Sequence, residues 1–254
     1  MKRIIRAMVI GIVVAYLGIC AVLFVFQRSL IYFPQPRAVT APQSTLRLPV
    51  DGAELVISIR SHLGPKAIIY FGGNAEDVSD NLAEFDQWFP EHALYLVHYR
   101  GYGGSTGSPT EEANQSDAAA VFKHVHAEHS EIVVIGRSLG TGVAVRLASE
   151  SAAARLVLVT PYDSLAEIAA RNYPFLPTRW LLRDKYESAQ YAPAIKIPTS
   201  ILAAENDEVI PRASTERLFA RFPKGVASMT IIRGAGHNSI GTKSEYRVAL
   251  QRAL

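Results

Sequence analysis

The chain has 254 residues, of which 49% are hydrophobic and 19% charged, with a formal net charge of +3. That size suits one large domain plus an appendage, and the balance excludes both a disordered chain and a multi-span membrane protein. Setting aside Lys2, Arg3, Arg6 and Arg28, which flank the first apolar run, leaves 22 basic against 23 acidic residues, so no basic face is left to suggest a nucleic-acid partner.

The first element is the uncharged run 7–26. About 20 apolar residues make a helix that crosses a bilayer core. The basic residues ahead of it orient the N-terminus toward the cytoplasm, and Tyr32 and Phe33 follow where amphipathic rings settle. A cleaved signal peptide has a shorter apolar region, roughly 7–15 residues, with small residues at its exit. Here the exit is Phe24-Val25-Phe26-Gln27-Arg28. The run is therefore read as an uncleaved single-pass anchor, with the domain on the far side of the membrane, periplasmic or otherwise extracytoplasmic. Cys20, the only cysteine, lies inside the run, so neither an internal disulfide nor a thiolate zinc site is expected. The domain organisation follows: an anchor at 1–28, a Pro-rich linker at 29–43, and a folded domain at 44–254.

Apolar runs then alternate with helix-length stretches. Segments 46–50 and 55–59 flank Asp51-Gly52, a hairpin signal. Buried-strand patterns follow at 67–71, 94–99, 132–135, 156–160, 200–203 and 229–232, with helical patterns at 78–89, 111–128, 139–151, 164–172, 213–222 and 243–254. β-Branched runs separated by helices indicate a parallel sheet covered on both faces. A hairpin leading into such a series predicts the α/β-hydrolase fold: a mostly parallel sheet of about eight strands, with a short cap around 162–196.

Gly-x-Ser-x-Gly occurs twice, at Gly136-Arg137-Ser138-Leu139-Gly140 and Gly103-Gly104-Ser105-Thr106-Gly107. A nucleophilic serine of this kind needs a sharp strand-to-helix turn that exposes its hydroxyl. Only Ser138 has a strand before it and a helix after it; Ser105 reads as a turn residue. The hydroxyl then needs a base and an acid that orients the base, in the chain order Ser, acid, His. His237, in a small-residue loop after the last strand, is the candidate base. Asp207, after strand 200–203, is the candidate acid, with Asp163 as the runner-up. The backbone N–H groups of Leu139 and Asn74 are the candidate oxyanion donors, with Ala75 second to Asn74. His124, His126 and His129 do not share one helix face, so they read as a solvated helix end rather than a metal site. His62, His92 and His98 read as surface or packing residues. No cofactor and no metal are expected.

Taken together, Phe26-Gln27-Arg28-Ser29-Leu30-Ile31-Tyr32-Phe33-Pro34, Tyr70-Phe71-Gly72-Gly73-Asn74-Ala75-Glu76, Tyr99-Arg100-Gly101-Tyr102-Gly103-Gly104-Ser105, Gly136-Arg137-Ser138-Leu139-Gly140, Pro174-Phe175-Leu176-Pro177, Asp207-Glu208-Val209-Ile210-Pro211 and Gly234-Ala235-Gly236-His237-Asn238 resemble membrane-anchored α/β-hydrolases with a short cap, the branch that includes depalmitoylase-type enzymes. The resemblance implies the same roles for Ser138, Asp207, His237 and the Asn74 loop. It departs at Gly72, where many relatives carry histidine, and in having a spanning helix where depalmitoylases carry lipidated cysteines, so their substrate is not carried over. The expected activity is hydrolysis of a small-molecule or lipid acyl ester or thioester. The alternatives are an aminopeptidase-like serine peptidase and a catalytically silent membrane scaffold.

Overall fold

The computed structural model describes residues 1–254, the side chain of Pro42 excepted. A 30-residue helix, α1 (Lys2–Ile31), leads into the domain and is long and apolar enough to cross a membrane. Along it only Cys20 and Gln27 are buried. Eight strands follow: β1 (Thr45–Val50), β2 (Ala53–Arg60), β3 (Lys66–Phe71), β4 (Ala93–Val97), β5 (Glu131–Arg137), β6 (Arg155–Val159), β7 (Thr199–Ala204) and β8 (Ala227–Ile232). They form one sheet in the order β1-β2-β4-β3-β5-β6-β7-β8. β1 and β2 form an antiparallel hairpin turned at Gly52 (φ 69°), β2 runs antiparallel to β4, and all remaining pairs are parallel. This is the fold the alternating pattern predicts.

The central strands β3 to β6 are buried almost throughout because helices cover both faces. Alternate side chains feed two cores. Ile69 and Phe71 pack with α3 (Glu111–His126) and α4 (Leu139–Glu150) on one face. Ile68 and Tyr70 pack with α2 (Leu82–Trp88) and α9 (Ser244–Ala253) on the other. Thr110 caps α3 by accepting the Ala113 N–H, and Glu111 and Glu112 complement its N-terminal dipole. Between β6 and β7 lie three short helices, α5 (Leu165–Asn172), α6 (Thr178–Leu181) and α7 (Ser188–Tyr191); α8 (Arg212–Phe219) precedes β8.

Several expected bounds shift for local reasons. The helix expected at 78–89 opens as a 3-10 turn at Val78–Asn81, because the Asp77 carboxylate accepts the Ser79 N–H and holds the entry tight. β4 stops at Val97, where the chain bends into the loop at Gly101, Gly103 and Gly104, all at positive φ. Helices α6 and α7 lie in the expected short cap without a range of their own in the sequence pattern; each is a single turn, too short for a periodic signal. His129 is a correction: it is buried rather than solvated. Its Nδ1–H donates to the Gly64 carbonyl at 2.8 Å, so its Nε2 accepts from the Tyr95 hydroxyl at 3.1 Å.

His98 is buried with its Nε2 2.9 Å from Ser58 Oγ, and burial lowers its pKa to about 4. An unfolded imidazole takes its proton near pH 6.5, so this contribution is complete above that pH and is lost as the pH falls from 6.5 toward 4. The loss amounts to about 3 kcal/mol. Denaturant unfolding at pH 7 and pH 4.5 should show a flatter pH dependence for His98→Gln than for the wild type.

Candidate active site

The site forms where β3, β5, β7 and β8 end. β5 runs into α4 through a single residue, Ser138, with φ 48° and ψ −115°. A non-glycine side chain at such angles is strained, by roughly 1–3 kcal/mol. The turn is held by the Ser138 N–H donating to the Val159 carbonyl (2.9 Å) and by the Thr141 hydroxyl donating to the Ser138 carbonyl (2.7 Å). The flanking glycines are steric requirements: a Cβ at Gly140 would lie 2.1 Å from the Phe71 carbonyl oxygen, and one at Gly136 would lie 2.5 Å from the Gly140 carbonyl oxygen.

Ser138, His237 and Asp207 come together although they are far apart in sequence. Ser138 Oγ lies 2.9 Å from His237 Nε2, and His237 Nδ1 lies 2.9 and 3.0 Å from the two Asp207 carboxylate oxygens. A carboxylate only accepts, so Nδ1 carries the proton and Nε2 is left to accept from the serine. Asp207 is itself oriented by the Val209 and Ile210 N–H groups, which donate to its Oδ1. Asp163 is not part of this cluster. It pairs with Arg217 at 2.5 Å and accepts from the Ser214 hydroxyl. Ser105 is buried in its glycine-rich loop, donating to the His98 carbonyl and accepting the Val56 N–H.

The loop after β3 separates the two oxyanion candidates. The Gly73 N–H donates to Glu76 Oε2 at 2.5 Å, and the Ala75 N–H donates to the Asn74 side chain at 3.1 Å. The Asn74 and Leu139 N–H groups have no acceptor among the described residues, so Asn74 rather than Ala75 is free to donate. Gly72 keeps the loop close to its neighbours, since a Cβ there would lie 2.4 Å from Val78 Cγ1. The Tyr99 hydroxyl holds the loop from the other side, donating to the Gly72 carbonyl at 2.9 Å.

Three supporting groups have no individual signature in the sequence. Glu76 accepts from Tyr70, Asn81, Gly73 N–H and Arg137 at once, with the Arg137 contact at 3.0 Å. Burial opposes the Arg137 charge, yet Glu76 and its neighbours hold its pKa above the ordinary value. Glu208 accepts the His237 N–H at 3.0 Å, which keeps its carboxylate below its usual pKa. Only the opposite charges beside the serine motif and in the glycine loop hint at the first pair.

Ser138 stands between two cavities. One, of about 600 Å³, is lined by α1, the β6–β7 segment and Leu139 and is largely apolar. The other, of about 360 Å³, is lined by Asn74, Glu76, Asp77, Asp80, Arg137, His237 and Asn238. Burial and the neighbouring Asp77 and Glu76 raise the Asp80 pKa. No cluster of His, Cys, Asp and Glu fit to hold a metal is found among the described residues.

No protein-family model matches the chain. It is 33% identical over 259 residues to the Mycobacterium tuberculosis protein Rv2307c, covering 92% of this chain and 89% of that one. It is 31% identical over 186 residues to the α/β hydrolase domain-containing protein aho-3 of Caenorhabditis elegans, covering 70% of this chain and 54% of that one. Among solved structures, the Pyrococcus furiosus esterase Pf2001 superposes with a TM-score of 0.68 at 20% identity, covering 87% of this chain and 97% of that one.

The contact at Gly140 yields a stability test. Gly140→Ala should destabilise the domain by about 1–3 kcal/mol through overpacking. Gly241→Ala, where no heavy atom lies within 4 Å of the added Cβ, should stay within about 0.5 kcal/mol of wild type. Urea unfolding of both variants checks the contrast.

Proposed function

The chain belongs to the α/β-hydrolase family, and from that premise we propose that it is a serine hydrolase that cleaves an acyl ester or thioester at Ser138, held to a membrane by α1. The observation that carries this reading is the continuous contact from Ser138 Oγ through His237 to Asp207, with the serine on a strained turn.

In the proposed reaction His237 Nε2 takes the Ser138 proton as Oγ attacks the substrate carbonyl carbon. The oxyanion is met by the Leu139 and Asn74 N–H groups, a preorganised pair at the dipole-positive end of α4. Collapse breaks the bond to the alcohol or thiol, which leaves with the proton from His237. Water then attacks the acyl-enzyme, giving its proton to His237, and the acid departs as Ser138 regains its hydrogen. Asp207 keeps the imidazole in the required tautomer and stabilises its charged form.

The apolar cavity beside Ser138 favours an acyl group over a peptide, and a strained serine with base and acid aligned has no evident use in a silent scaffold. Lys2, Arg3 and Arg6 ahead of the apolar run favour a cytoplasmic N-terminus, with the domain extracytoplasmic.

A fluorophosphonate probe should label the wild type and Ser105→Ala but not Ser138→Ala; equal labelling of Ser138→Ala would falsify the reading. Asp207→Asn should lower kcat on a simple ester by about 10⁴-fold, the scale of the tautomer penalty in such triads.

A further inference from the structure

Resting on the serine-hydrolase reading, we infer that the substrate is a long-chain acyl ester lying in the bilayer leaflet beside the domain, with an uncharged or cationic alcohol, and that α1 is a wall of its acyl pocket as well as a tether.

The first observation is the composition of the apolar cavity. Leu23, Phe24 and Leu30 of α1 line it together with Leu165, Ile168 and Leu176 of the β6–β7 segment, and Ser138 lies in the same cavity. A pocket of about 600 Å³ lies in the range that encloses a ligand of substantial size. Nothing in the hydrolase reaction requires an anchoring helix to line the pocket; here it contributes a face of it.

The second observation is depth. The Tyr16 hydroxyl donates to the Phe175 carbonyl at 2.9 Å, and Gln27 bonds Leu181 and Arg183. Eleven residues of helix separate Tyr16 from Gln27, about 16 Å, which is half of a bilayer core. A membrane that surrounds residues 7–26 therefore also surrounds the tip of the β6–β7 segment. That tip exposes large apolar side chains, Phe175 at 85% and Trp180 at 89%, with the exposed Arg171 at its α5 end. The neighbouring Arg179 is paired to Glu167 through two bonds of 2.7 Å. The cavity between α1 and this tip thus lies where acyl chains already are, and a lipid reaches Ser138 without crossing water.

The third observation is the opposite cavity, which His237 lines and which therefore takes the leaving group. Glu76, Asp77 and Asp80 line it, and the one cation there, Arg137, is already paired with Glu76. A phosphate leaving group would meet like charges, whereas a neutral or cationic alcohol would not.

The test uses the full-length protein in phosphatidylcholine vesicles. In a Trp88→Phe background, leaving one of the two tryptophans, lipids brominated on their acyl chains should quench Trp180; absence of quenching overturns the leaflet placement whatever the chemistry. On p-nitrophenyl esters, kcat/KM should rise up to about fourfold per methylene from butyrate to dodecanoate. Leu23→Trp should lower the dodecanoate-to-butyrate ratio at least tenfold. A flat profile with Ser138 still labelled by fluorophosphonate overturns this inference and leaves the hydrolase reading standing; loss of labelling overturns both. Mono-oleoylglycerol should be cleaved at least tenfold faster than oleoyl lysophosphatidylglycerol. The reverse order overturns the leaving-group assignment, and preference for an S-palmitoylated peptide over both overturns the lipid.

Discussion

The site depends on one backbone contact, the approach of the first turn of α4 to the end of β3. Because Gly140 has no Cβ, the helix lies directly on the Phe71 and Gly72 carbonyls. That approach sets Leu139 and Asn74 in the lining of the same cavity as Ser138, although they come from separate elements. It also forces the sharp turn at Ser138, whose strain the Val159 and Thr141 hydrogen bonds offset. The half-buried Ser138 hydroxyl and the two candidate N–H donors thus meet at a point that the same glycine makes possible.

A second layer ties this point to the N-terminal helix. The Asn74 side chain accepts from the Phe33 N–H and the Tyr102 hydroxyl and donates to the Ile31 carbonyl. Asn74, which lines the same cavity as Ser138, is therefore held through its side chain by the segment leaving α1. The domain is built partly upon α1, and the geometry of the Asn74 loop and the seat of the helix are not independent.

Much of this was legible in the sequence, for reasons that can be assigned residue by residue. Buried parallel strands such as β3 and β5 announce themselves as β-branched runs, and strand–turn–helix context separates Ser138 from Ser105 although both carry the same motif. Asp207 and His237 could be read from chain order, because the fold delivers successive strand ends to one edge of the sheet. What could not be read depended on tertiary partners. His129 sits among helix-end residues, yet it is buried because Gly64 and Tyr95 approach it from elsewhere. Glu76 serves four donors that come from separate segments, and no local pattern encodes that convergence. The seating of α1 on the cap was equally hidden, since an apolar helix looks the same in sequence whether it faces lipid alone or a pocket.

The fixity of that seating has a physical origin in a buried charge. An apolar helix on an apolar surface slides and rotates at little cost, because its contacts are interchangeable. Asp184 removes that freedom. Its side chain is almost fully buried, and it accepts from Arg28 and the Tyr32 hydroxyl, both contributed by the end of α1 and the residue after it. Asn114 donates to the Tyr186 hydroxyl, which in turn donates to Tyr32, so the carboxylate ends a relay reaching α3. A one-residue slip of α1 turns Arg28 by about 100° away from its partner. It would strand a buried carboxylate, at a cost of about 3–5 kcal/mol. The ion pair adds little net stability when set against burying apolar groups in its place, but it gives the helix a single register. That register is what aligns Leu23 and Phe24 with the cavity and Ile31 with Asn74.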